Sequence, residues 1–225
     1  MNSPTMKTAL FFSRRLVFIS VALFVPAGSL DFWQAWVFLA IFFIGELLIL
    51  VHLVRNDPVL LKRRRQRGWF AEKRIFQQVI MSLVRLFYMA MLLVAGFDHR
   101  FDWSHVPAWL AMGADVALLL GWLLVLAVFK ENSFASAIIE IAVEQKVIST
   151  GPYAVVRHPM YSGTFLMNIF MPIALGSWWG TPFAVGLLMM GILRILDEER
   201  LLRQSLPGYE EYCRKVRYRL IPRIW

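Results

Sequence analysis

The run from Trp33 to Val54 reads WQAWVFLAIFFIGELLILVHLV and carries a single formal charge, Glu46. A helix that is apolar on every side is either deeply buried or surrounded by lipid. About 20 such residues cross a bilayer core about 30 Å thick. Comparable runs occupy about 10–29, 76–97 and 107–129, and two shorter ones about 161–177 and 181–197. A chain of 225 residues, 59% hydrophobic and 15% aromatic, cannot hide so many apolar blocks in one soluble core. The fold class expected is therefore all-α: a polytopic transmembrane bundle of about six spans forming one membrane-embedded domain over 1–225. The last two spans, joined by GSWWGTP, read as a helical hairpin. Its Gly and Pro make a tight turn, and Trp178 and Trp179 suit a membrane interface.

Charge orients this bundle. The segment RNDPVLLKRRRQRGWFAEKR holds eight Lys and Arg, and the segment from Lys130 to Arg157 and the C-terminal tail are also basic. The other side holds Arg100 beside Asp31, Asp98 and Asp102. The positive-inside rule then predicts both termini, and both polar segments 130–160 and 198–225, in the cytoplasm. The net charge of +9 is explained by this asymmetry, so no nucleic-acid partner is inferred. Lys7, Arg14 and Arg15 precede the first apolar run without an evident small-residue cleavage site, so an uncleaved first span is expected. One cysteine, Cys213, excludes an intrachain disulfide and a cysteine-rich metal site. No metal and no obligate protein partner are predicted; the bilayer itself is the expected surrounding.

Charges inside spans are costly and require partners. Glu46 and Arg85 fall at similar depths, which predicts a buried Glu46–Arg85 pair. Asp115 lies nearer the opposite face with no obvious partner, and His52 near the interface reads as structural.

Two stretches carry chemistry. In TGPYAVVRHPMYSG, Thr150 to Gly163, Gly151 can take positive φ and Pro152 restricts it, making a turn. Pro159 suits the first turn of a helix whose open N–H groups can hold an anionic group such as a carboxylate. His158 and Tyr161, three apart, can face one pocket. In RILDEERLLRQSLPGYEEYCRKVRYRLIPRIW, Arg194 and Glu198 are four apart, on one helical face; the plainest account of them is an i,i+4 ion pair. Asp197, Glu198 and Glu199 form an acidic cluster where the last span ends, next to the negative end of the helix dipole. A cationic ligand would offset that arrangement.

Together these stretches resemble the integral membrane methyltransferases of the isoprenylcysteine carboxyl methyltransferase family, most of all its short bacterial members. The matching elements are ENSF at 131–134, GPY, RHPMY and a glycine within 151–163, EE at 198–199, and GYEEYCRKV at 208–216. The resemblance is strong over about 130–225, read as a cofactor-binding methyltransferase core, and rests on hydropathy alone over the four spans of 1–129. It implies S-adenosyl-L-methionine as cofactor. It assigns Gln145, Lys146, Val147 and Ile148, then Tyr153, His158, Pro159, Met160 and Tyr161, and finally Glu198, to cofactor binding. It gives Arg194 to the acceptor. From SAIIEIAVEQ, aliphatic where eukaryotic members have a polar contact, no residue is transferred.

The residues suit that cofactor. Acids suit its sulfonium and ammonium, a helix N-terminus and His158 its carboxylate, and Tyr153 and Tyr161 its adenine. Methyl transfer is a direct displacement that depends on alignment and desolvation. A carboxylate acceptor needs no base and could be oriented by Arg194. An amine or thiol needs one, for which Glu199 and Tyr161 are candidates. A lipophilic acceptor, such as an isoprenylcysteine-like molecule, could enter sideways from the bilayer. Two other readings compete: an NADPH-dependent sterol-type reductase, whose C-terminal ending is similar, and a non-catalytic membrane scaffold.

Overall fold

The computed structural model describes residues 4–66, 72, 74–135, 138–139 and 145–225. Eight α-helices occupy the described residues: α1 (Pro4–Ala27), α2 (Trp33–Asn56), α3 (Pro58–Gln66), α4 (Ile75–Phe101), α5 (Ala108–Glu131), α6 (Pro159–Ala174), α7 (Thr181–Ser205) and α8 (Tyr209–Lys215). A single 3-10 turn, Gly151–Ala154, precedes α6. Helices α2, α4 and α5 are each long and apolar enough to cross a membrane. Helix α6 has 16 residues, or about 24 Å, so it falls short of a bilayer core about 30 Å thick. Helix α7 continues past the expected limit at 197 to Ser205, which carries its polar C-terminal turns beyond the bundle.

The outer face is apolar. Val17, Val21 and Val25 on α1, Leu120 and Leu123 on α5, and Met189, Leu193 and Leu196 on α7 are all exposed. A soluble monomer rarely leaves so much apolar surface open, whereas lipid covers it without cost. The inner face is close-packed. Leu23, Phe32, Phe38, Met91, Leu92, Leu118, Met171, Leu175 and Leu187 join six helices in one core. Helices α5 and α6 touch through glycines. A Cβ on Gly163 would lie 2.9 Å from the Gly121 carbonyl oxygen, and one on Gly121 2.8 Å from that of Gly163. Small residues permit this close backbone approach, which sets where α6 begins relative to α5.

The two ends of the bundle differ. One end carries the α1–α2, α4–α5 and α6–α7 turns. The other, called the site end below, carries α3, the 3-10 turn and α8. There the core splits into two patches, Leu53, Leu60, Val125, Phe129 and Ala135 on one side and Leu206, Tyr209, Tyr212 and Val216 on the other.

The expected Glu46–Arg85 pair is corrected. Glu46 accepts from Arg15 of α1. Antiparallel pairing explains the choice: counted from the α1–α2 turn, Arg15 lies about 18 Å and Glu46 about 20 Å along their helices. Arg15 also lies over the Phe42 ring at 4.9 Å. Asp115 is buried, and neither of its carboxylate oxygens has a hydrogen-bond partner among the described residues. His52 lies 3.1 Å from the Asn56 amide one turn on.

Candidate active site

The segment before α6 is held by the C-terminal tail. The Arg157 and His158 N–H groups donate to the Tyr218 and Arg219 carbonyls, both at 2.9 Å, and Ser162 Oγ donates to Leu220 O at 2.7 Å. The Arg157 guanidinium reaches the carbonyls of Val216 and Arg217 at 2.9 and 2.7 Å. Below it the turn forms as its residues dictate. Gly151 has φ +56, a conformation that favours glycine, and a Cβ there would also press the exposed Glu131 side chain at 2.6 Å. Pro159 opens α6 and is buried, where its lack of an N–H leaves nothing unsatisfied.

Between the two core patches lies a cavity of about 400 Å³. Gln145, Lys146, Val147, Ile148, Tyr153, His158, Met160, Tyr161, Arg194 and Glu198 all line it. Pro159 and Glu199 do not. The structure thus brings together ten of the twelve residues singled out in the sequence. Pro159 acts only by starting the helix that presents its neighbours.

The three consecutive acids of α7 have three different fates. Successive helical residues point about 100° apart. Asp197 points toward α4, where Arg74 donates to both its oxygens at 2.8 and 2.7 Å and Gln77 adds its amide. Glu199 points toward the tail. It takes Arg157 Nε at 2.7 Å, His158 Nε2 at 3.2 Å and Arg219 Nε at 2.9 Å, and is 3% exposed. Because a carboxylate only accepts, that His158 nitrogen carries the proton. Burial would raise the Glu199 carboxyl, but the bonds and charge of His158 and Arg157 outweigh it and hold the pKa near about 2. Glu198 alone faces the cavity, with Oε2 accepting from the Tyr161 hydroxyl at 2.8 Å.

Glu199 as a proton acceptor is therefore corrected: three donors occupy it, and so low a pKa makes a weak base. The Arg194 guanidinium donates to Gln77 Oε1 at 3.0 Å and Glu72 Oε1 at 2.7 Å, and it also bonds the Tyr161 hydroxyl, which donates to Glu198. Arg74, Asp197, Gln77, Arg194 and Glu72 form one chain of alternating donors and acceptors, of which Arg194 lines the cavity and the rest lie behind it.

Several wall residues were not selected from the sequence, although their motifs were visible. Asn132, in ENSF, donates to the Tyr153 hydroxyl at 2.7 Å. Burial raises the Tyr153 phenol to about 12 despite that bond, so it stays protonated. Tyr209 and Tyr212, in GYEEY, also line the cavity, and Tyr212 donates to the Tyr153 carbonyl at 2.7 Å. Gln77 and Glu72 had no local signal, because their importance comes only from facing α7. Most of SAIIEIAVEQ lies outside the described residues; Ile138 and Ile139 from it line the cavity.

A helical membrane bundle that closes a mixed polar and apolar cavity at one end defines the class: a membrane-embedded protein with a pocket of the kind in which small molecules bind. Residues 109–207 match the family model described as phospholipid methyltransferase, the family that contains the isoprenylcysteine carboxyl methyltransferase-like membrane enzymes. That stretch runs from α5 to just past the end of α7 and contains the ENSF, GPY, RHPMY and EE motifs on which the resemblance was read. The match begins one helix before residue 130, at the helix whose glycine seats α6. The chain is also similar to the Delta(14)-sterol reductase TM7SF2 of Mus musculus, at 28% identity over 90 residues. This covers 39% of the chain and 22% of that relative, so the chain spans less than a quarter of the reductase's length.

Proposed function

We propose that the chain is an integral membrane S-adenosylmethionine-dependent methyltransferase with a lipophilic acceptor, its site and both termini on the cytoplasmic side of a bacterial cell membrane. The observation that carries this reading is the convergence of Gln145 to Ile148, Tyr153, His158, Tyr161 and Glu198 on one cavity. The donor set fits the cofactor. Glu198 has one oxygen without a described partner, suited to an ammonium or sulfonium. Tyrosine rings and aliphatic side chains suit an adenosine. When bound, S-adenosylmethionine would supply an electrophilic methyl group on sulfur for direct displacement.

The protein's part is then to align and to exclude water. The Met160, Ile148, Leu201 and Leu202 side chains give the wall an apolar portion. For an isoprenylcysteine-like carboxylate acceptor no base is required. Arg194 would meet that group only by sharing its guanidinium with Glu72 and Gln77. For an amine or thiol acceptor, the Tyr161–Glu198 pair takes the proton: Tyr161 oxygen receives it as its own proton passes to Glu198 Oε2.

One observation favours a second reading, an NADPH-dependent sterol-type reductase: the partial similarity to the mouse sterol reductase. Thermal melting of detergent-solubilised protein separates the two. A ligand at 100 times its Kd stabilises by about 2.7 kcal/mol. We expect S-adenosylhomocysteine to raise the melting temperature and NADPH to leave it unchanged. The reverse result would transfer the assignment to the reductase.

A further inference from the structure

Three guanidinium groups line the cavity, those of Arg64, Arg157 and Arg194. Two are neutralised inside the fold: Arg157 meets Glu199 and Arg194 meets Glu72, each at 2.7 Å. Arg64, on α3, is different. It donates Nη1 to the Ala135 carbonyl at 2.8 Å and lies over the Phe129 ring at 4.8 Å. Among the described residues no carboxylate lies within ion-pair distance of it, and Nε and Nη2 have no described acceptor. A carbonyl and a ring face satisfy hydrogen bonding and packing, but neither supplies a negative charge. Burial, with the nearby Arg15, lowers its pKa to about 10, the direction expected of a cation awaiting a counter-charge. Guanidinium binds carboxylate and phosphate through paired donors, and Arg64 keeps two donors available.

We propose that Arg64 is the oxyanion-binding residue of this cavity, holding a carboxylate or phosphate of the bound ligand. This rests on the cavity being the methyltransferase site. It gives α3, which in the sequence is only part of a basic loop, a direct part in ligand recognition. It also moves the anion-binding role from Arg194, whose charge is already balanced, to a residue on another helix. The oxyanion has two possible sources, the amino-acid portion of the cofactor or the head of the acceptor.

Calorimetry on the full chain in detergent, as wild type, Arg64→Gln and Arg64→Lys, distinguishes them through matched probes. One pair is S-adenosylhomocysteine and 5′-methylthioadenosine, which lacks the carboxylate. A second is N-acetyl-S-farnesylcysteine and its methyl ester. A third is a short-chain phosphatidate and the corresponding diacylglycerol. In Arg64→Gln the acidic member of one pair should bind about tenfold or more weaker, with its uncharged counterpart within about twofold. Arg64→Lys should recover part of the loss, and the affected pair identifies the source. If Arg64→Gln does not fold, the wild-type protein still decides: an acidic probe should protect Arg64 from phenylglyoxal where its uncharged counterpart does not. Equal behaviour of both members of every pair would overturn the inference, as would wild-type protein that binds no acidic probe. Wild-type protein that fails only with S-adenosylhomocysteine would instead overturn the function proposed above.

Discussion

Both ends of the bundle bury carboxylates, but they satisfy them in opposite ways. At the end holding the α6–α7 turn, Asp98 is 1% exposed; its Oδ2 accepts from two neutral hydroxyls, Ser104 and Ser177, while Oδ1 has no hydrogen-bond partner among the described residues. Ser177 also accepts from the Gly180 N–H, so the cluster closes the hairpin turn upon α4. At the site end, Asp197 and Glu199 are paired with guanidiniums contributed by Arg74 just before α4, the segment before α6 and the tail. Where the chain only has to close, two hydroxyl donors hold one oxygen of the carboxylate. Where a cavity must be kept open between separate segments, charge-assisted bonds hold its walls from behind, and Glu198 alone is left to face inward.

The comparison predicts that the two ends fail differently. Glu199→Ala should have the largest effect, since it strands Arg157, His158 and Arg219 together. Breaking a buried pair from one side costs about 3–5 kcal/mol. Chemical denaturation in detergent should show this loss together with loss of S-adenosylhomocysteine binding; retained stability would mean the tail docks without that carboxylate. Acid should produce much of the same effect in the wild-type protein. The folded pKa of Glu199, about 2, lies below its ordinary value of 4.5. Its contribution, on the order of 3 kcal/mol, is thus fully present above about pH 4.5 and lost as pH falls toward 2. The stability difference between wild type and Glu199→Ala, measured from pH 6 to pH 3, should shrink accordingly.

Asp98→Ala should cost about 1–3 kcal/mol by orphaning its two serines, and leave S-adenosylhomocysteine affinity within about twofold. A large change in affinity would show that the two ends are coupled and would break the comparison. The smallest effect on the fold should come from Glu198→Gln, which keeps an acceptor for Tyr161. Its stability should change by less than about 0.5 kcal/mol, while cofactor affinity falls about tenfold, or about 1.4 kcal/mol. Unaltered affinity would remove Glu198 from the site.

Much of this architecture was legible in the chain. Apolar runs of span length marked the long helices, and Pro159 and Gly151 marked the turn and the helix start, because each of these signals is local. The site was legible as a set of motifs for a similar reason: residues three or four apart on one helix share a face whatever surrounds them. Partners on different helices were not legible. Arg85 and Arg15 both lay at plausible depths for Glu46, and only the antiparallel contact of α1 with α2 selects Arg15. Glu72 and Gln77 carry no motif, yet they take up the guanidinium of Arg194.

The sequence by itself determined that this is a helical membrane bundle, and that a polar, proline-bearing helix start and an acidic cluster some forty residues later belong to one site. Tertiary structure alone decided which of Asp197, Glu198 and Glu199 faces the cavity, and which of the guanidiniums lining it has no carboxylate partner among the described residues. The helical repeat sets the angle between neighbouring side chains, about 100°, but not the direction in which the first one points. That direction is set by how α7 packs against α4 and α6, so a run of three equivalent acids in the sequence becomes two braces and one cavity-facing group in the fold.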